Sequence, residues 1–150
     1  MRRLMVLFCL ALGVLALAAA SDPDRKYIVM KRAAASNAPF SEAVLKSDTL
    51  YVGGHIGLDP QTGKPGATPE EEARLVMESL KRTVEAGGMT MDELVTVTVY
   101  CSDVSHYDAF NSVYRTYFHG NFPARAFIGS GKLLFGARFE VQGIAVRKRR

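Results

Sequence analysis

The 150-residue sequence predicts a single α+β domain, a mixed β-sheet with two helices packed on one face, in the order ββαβαββ. Three observations predict it. Leu94 to Cys101 alternates Val with Thr, the period of a half-buried strand. Thr68-Pro69-Glu70-Glu71 combines an N-cap, a proline at the first helical position and a Glu at N3, after which Ala73, Met77, Leu80 and Val84 recur at helical spacing. Short β-type runs lie on both sides of this centre. Two helices cover only one face of such a sheet, so the Val, Phe and Ile of the strands predict burial of the other face against further copies of the chain.

The elements follow in order. Arg2-Arg3, the apolar run of 17 residues from Leu4 to Ala20 and the Ala triplet before Ser21 form the three parts of a secretory signal peptide, residues 1–20. An uncleaved anchor is the alternative, but that run is at the lower limit for crossing a bilayer. Cleavage is expected, with a periplasmic or secreted product and no stable membrane association. Residues 21–37 read as a linker or loose arm. Glu42 to Lys46 and Thr49 to Gly53, separated by Ser47-Asp48, suggest a hairpin. Asp59-Pro60-Gln61-Thr62-Gly63 is a turn, and Gly87-Gly88 stops the first helix. Ser105 to Asp108 opens a second helix reaching about Phe118, with Tyr107, Phe110 and Tyr114 as a core stripe. Ala124 to Ser130 and Arg138 to Val146 are the last strands, so the domain spans 38–146 and residues 147–150 form a basic tail.

Charge and cysteine content narrow the function. Removing Arg2 and Arg3 from the 19 basic residues leaves 17 against 15 acidic, and four of the 17 are in the terminal Arg147-Lys148-Arg149-Arg150. The body is slightly negative, which disfavours nucleic acid as a partner. Only Cys101 remains after cleavage, so an intramolecular disulfide is excluded, and it reads as a buried strand residue. His55, His106 and His119 are scattered without acidic partners at ligand spacing, which argues against a metal site.

Four pieces of the chain stand out in this order: APFSEAVLKSDTLYVGGHIGLDPQTGK (Ala38 to Lys64), VTVTVYCSD (Val95 to Asp103), FNSVYRTYF (Phe110 to Phe118) and FPARA (Phe122 to Ala126). Together they resemble the YjgF/RidA family of small trimeric imine/enamine deaminases. FEVQGIAV (Phe139 to Val146) is similar to the family's last strand. The resemblance implies a chorismate-mutase-like fold and a homotrimer with active sites between adjacent subunits. It further implies 2-imino or 2-enamino acids as substrates, 2-keto acids plus ammonia as products, and no metal or organic cofactor.

By itself, Arg125 at the head of an apolar strand reads as half of an ion pair with a neighbouring strand. The resemblance implies instead a clamp for the substrate carboxylate, since a guanidinium fork matches two carboxylate oxygens. Glu140 resembles the family glutamate that holds the attacking water; its alternatives are a solvated strand face or an ion pair with Arg138, two residues back on the same face. Together these place Arg125 at a subunit boundary facing Glu140. Asn111 either orders the cleft or faces solvent. The remaining expected binding residues are departures from the family. Gly53-Gly54 stands for a common Ser-Gly, His55 for Gln, Phe40 for a tyrosine, and the bulky Phe127 for a small residue or cysteine. His55 would line the cleft beside the glycines. Two lost hydroxyls and one added ring leave the clamp and the acid in place but alter the pocket around them. The favoured reading is therefore an imine/enamine hydrolase. The alternative is a non-catalytic carboxylate-binding trimer, and an endoribonuclease or translation inhibitor ranks third.

Overall fold

The computed structural model describes residues 24–30 and 37–148. The expected signal peptide, most of the expected arm, and Arg149 and Arg150 lie outside the described residues. Six strands form one sheet: β1 (Arg25–Ile28), β2 (Ala43–Lys46), β3 (Thr49–Ile56), β4 (Leu94–Cys101), β5 (Ala124–Gly129) and β6 (Phe139–Val146). Their spatial order is β1-β2-β3-β6-β4-β5, antiparallel throughout except for the parallel β4–β5 pair. The helices are α1 (Pro69–Ala86) and α2 (Tyr107–Tyr114), the latter continuing into a 3-10 turn over Arg115–Tyr117. The mixed sheet with two helices is the architecture expected, with β1 added at one edge.

β1 falls inside the stretch expected to be an arm. It pairs with β2 from Arg25↔Lys46 to Ile28↔Ala43, and Asp24 accepts from Ser47 Oγ at 2.7 Å and lies 3.2 Å from Lys46 Nζ. Only Ile28 of its four residues is buried, so the strand carries almost no hydrophobic pattern to find. Of the expected basic tail, the two described residues, Arg147 and Lys148, bond to the domain. The Arg147 N–H donates to Asp48 O at 2.8 Å and its guanidinium donates to Gly88 O at 2.9 Å, just past the end of α1, where carbonyls lack helical partners. Lys148 N donates to Glu93 Oε1 at 2.9 Å.

α1 begins as its sequence dictates. Thr68 Oγ1 accepts from Glu71 N and Glu71 Oε2 accepts from Thr68 N, both at 3.2 Å, satisfying two of the donors a helix start leaves open. Its buried face, Ala73, Val76, Met77, Leu80 and Val84, packs with Phe110 and Val113 of α2 onto Leu50, Val52, Val97, Val99, Phe139 and Val141 of the sheet. Among the described residues no helix covers the opposite sheet face. It carries Tyr51, Thr96, Thr98, Tyr100, Glu140, Gln142 and Ile144, and an open groove of about 250 Å³ runs between Tyr51, Thr96, Thr98, Gln142 and Ile144.

Two local devices set the faces. A bulge in β3 inserts one residue between Val52↔Gly143 and His55↔Val141, so Val52 and His55, three apart, share the helix face. The second device is Glu72. Its fully buried carboxylate accepts from Arg138 N at 2.5 Å and Phe139 N at 3.0 Å, and pairs with Arg138 Nη1 at 2.7 Å. Arg138 also donates to Gly66 O at 2.9 Å. A carboxylate in the first turn of α1 thus anchors the first residue of β6, and the helix dipole favours a negative charge there.

Candidate active site

Arg125 is the second residue of the edge strand β5. The parallel register pairs it with Val97, whose side chain is in the core, so Arg125 shares the helix face. Its Cζ lies 4.5 Å from the ring centre of Tyr114 and 5.8 Å from those of Tyr107 and Phe127. Three aromatic rings, two of them seven residues apart on α2, hold the guanidinium by cation–π contact. Among the described residues no carboxylate forms an ion pair with it, which removes the strand–strand pairing considered for it. Its hydrogen-bonding edge is therefore left for something else.

A cleft of about 160 Å³ opens beside it, lined by Asn111, Tyr114, Arg115, Phe122, Pro123 and Arg125. Asn111 is buried on the inner side of α2 and lines this cleft, so the solvent-facing reading does not hold. Phe127 packs edge-on against Tyr107 at 5.0 Å and Phe110 at 5.7 Å, closing the wall behind Arg125. The stripe expected to be plain core is divided. Phe110 and Tyr114 are core, Tyr114 also carrying Arg125 on its ring, whereas Tyr107 is half exposed and serves only the cradle. Burial pushes the Tyr114 phenol up to about 12, against the opposing pull of Arg125, so it stays protonated; its hydroxyl has no hydrogen-bond partner among the described residues.

Glu140 lies elsewhere. It pairs with Ile56 of β3 and Tyr100 of β4 and projects from the open sheet face. Its carboxylate rests directly over Gly54, where a Cβ would collide with Oε1. The bare backbone at Gly54 is thus what admits the carboxylate. Arg138 does not pair with Glu140, because Glu72 takes it. Gly53 donates its N–H to Glu42 O at 2.8 Å, and a Cβ there would meet that oxygen at 3.4 Å, so a larger residue fits. Within one copy, then, Arg125 and Glu140 occupy opposite faces of the sheet with β4 between them. The expected face-to-face arrangement does not occur inside a single chain.

Residues 30–147 match the family model described as endoribonuclease L-PSP. The chain belongs to this family, the YjgF/RidA group. It is 38% identical to the rat 2-iminobutanoate/2-iminopropanoate deaminase over 125 residues, covering 82% of this chain and 90% of that one. The human protein of the same name is 32% identical over 124 residues, with the same coverage. Among solved structures, the E. coli YjgF gene product superposes with a TM-score of 0.75 at 28% identity, covering 82% of this chain and 99% of that one. E. coli TdcF, solved with bound serine, gives 0.70 at 28%, covering 73% and 89%.

Two expected binding residues of this RidA-family chain lie outside both groups. The bulge turns His55 into the core, 6% exposed, where Nδ1 meets Ser79 Oγ of α1 at 3.1 Å and Nε2 has no partner among the described residues. Burial pushes its pKa down from 6.5 to about 4, with Glu42 opposing and Arg82 assisting. Phe40 is 60% exposed ahead of β2 and does not line the Arg125 cleft. Sequence reasoning missed Tyr107 and Tyr114 as the cradle, Arg115, Phe122 and Pro123 as lining, and Glu72 as the anchor of β6. Glu72 did leave a signal: it stands four residues before Val76, a charge on the apolar side of its helix.

Proposed function

We propose that this RidA-family chain hydrolyses 2-imino and 2-enamino acids to 2-keto acids and ammonia, in a cleft completed by a second copy of the chain. The observation that carries the reading is Arg125, preorganised by three rings and paired with no carboxylate of the described residues. The names of the rat and human relatives support the reaction, and the serine bound to TdcF supports recognition of an amino-acid-like carboxylate.

In this reading Arg125 takes both oxygens of the substrate carboxylate and fixes the adjacent C=N carbon. Glu140 of a second copy holds a water against that carbon. The water oxygen bonds to carbon as the C=N π bond opens, and Glu140 takes one water proton and passes it to the nitrogen. The C–N bond then breaks as the hydroxyl proton is carried by Glu140 to the departing nitrogen, so ammonia leaves and the C=O of the keto acid remains. Opposite-face placement of Arg125 and Glu140 is the reason for invoking a second copy. The uncovered sheet face with its open groove supplies a surface for the assembly, a homotrimer in this reading.

The test generates 2-iminobutyrate in situ with an amino-acid oxidase and follows imine loss. Acceleration by the protein is expected, with Arg125→Ala abolishing it and Glu140→Gln lowering kcat while KM is retained. No acceleration over buffer for any side chain would leave carboxylate binding without chemistry, the second reading. That reading is favoured by the absence of a hydroxyl at Gly53 and Phe40. A stable monomer by light scattering would contradict the shared site.

A further inference from the structure

The cleft beside Arg125 holds a second guanidinium. Arg115 lines it from the end of α2, its Cζ 5.9 Å from the ring centre of Phe122. Phe122 and Tyr114 stack on each other, centres 6.1 Å apart and planes 27° from parallel, and Tyr114 carries Arg125 on its face. Each ring of the stacked pair thus carries one cation, and both cations line the same cleft. Among the described residues no Asp or Glu lines the cleft and neither arginine forms an ion pair. Two like charges sharing one cleft repel each other until an anion arrives, and a ligand with two anionic groups relieves the repulsion at both ends.

We propose that the cleft selects short 2-imino and 2-oxo acids bearing a second carboxylate, Arg125 holding the α-carboxylate and Arg115 the distal one. The assignment of Arg125 rests on the deaminase reading above; the charge selectivity rests on the cleft itself. The bland account of Arg115 is a cation placed at a helix C-terminus for its dipole. That account leaves its stacking on Phe122 and its share of the Arg125 cleft as coincidences. It also predicts no difference between ligands. A monocarboxylic acid can use one of the two forks, whereas the imines of aspartate or glutamate can use both.

The experiment has a binding arm and a turnover arm. In the first, calorimetry compares 2-oxoglutarate with 2-oxobutyrate on the parent chain and on Arg115→Ala and Arg115→Lys. The parent should prefer the dicarboxylate by roughly tenfold or more, the scale of one charge-assisted bidentate contact. Arg115→Ala should erase that preference, and Arg115→Lys should restore part of it, since the charge returns without the fork. In the turnover arm, the ratio of kcat/KM on the aspartate imine to that on the alanine imine should fall about as far in Arg115→Ala, through KM. Equal binding of the two acids by the parent, or a ratio unmoved by Arg115→Ala, overturns the proposal. So does a change of assembly state in Arg115→Ala, which would assign Arg115 to a contact between copies. Arg115-dependent selectivity in binding with no turnover of any imine would remove the deaminase reading and support the selectivity.

Discussion

His55 makes a pH-dependent prediction whose size follows from its surroundings. The ring is buried between β3 and α1, faces Ser79, and feels the opposing charges of Glu42 and Arg82. Its pKa falls from 6.5 to about 4 on folding, chiefly because charging it would bury a cation. The folded value lies below the unfolded one, so the neutral ring contributes stability that is fully present above about pH 6.5 and is lost as pH falls toward 4. At about 1.4 kcal/mol per unit, the displacement amounts to about 3.5 kcal/mol, most of it gone by about pH 4.5. Other groups titrate in the same window, so the measurement is a difference. Denaturant unfolding of the parent and of His55→Gln, which does not titrate, is followed from about pH 7.5 to 4.5 at one protein concentration. The stability gap between them should shift by about 2 to 3 kcal/mol in favour of the variant on acidification. Parallel loss in both proteins would show that His55 charges as easily folded as unfolded, and the burial argument would fail.

Two further predictions concern Glu72 and Gly54. Glu72→Gln puts an amide where three donors converge and should cost about 3–5 kcal/mol by denaturant unfolding; a loss under about 1 kcal/mol would refute the anchoring role. The paired change Glu72→Leu/Arg138→Leu should not restore stability, because the backbone N–H groups of Arg138 and Phe139 still lose their acceptor. Gly54→Ala places a methyl on the Glu140 carboxylate, the movable end of a side chain, so the fold should tolerate it while the acid is displaced. A fall in kcat of about 100-fold with thermal stability nearly unchanged is expected; unaltered kcat would remove Glu140 from the chemistry.

The legible part of this protein was the part written in local pattern. The capping box at Thr68, the Val/Thr alternation of β4 and the apolar stripe of α1 each depend on neighbours a few residues away, and each appears where expected. Arg125 and Glu140 were legible as unusual residues, but their mutual placement was not. It depends on the parallel pairing of Val97 with Arg125 and the antiparallel pairing of Tyr100 with Glu140, which no single strand encodes. His55 was expected in the cleft on the strength of its glycine neighbours; one inserted residue between Val52 and His55, which those neighbours do not announce, turns it to the helix face instead. Tyr107 and Tyr114 fit a core stripe so well that the cation above them left no separate trace. β1 escaped because pairing, not burial, makes it a strand.

The position of β6 has a consequence for how the chain reaches this structure. It follows every other strand of the sheet in chain order yet lies between β3 and β4, bridging two halves that do not otherwise pair. Until it inserts, β3 and β4 each present an unpaired edge, and the carboxylate of Glu72 waits for donors 66 and 67 residues further along. Folding should therefore be slow for a chain of this size, limited by closure of long loops rather than by helix formation. Its most aggregation-prone state is the one in which α1 and the first three strands are formed and the sheet is still open at its middle.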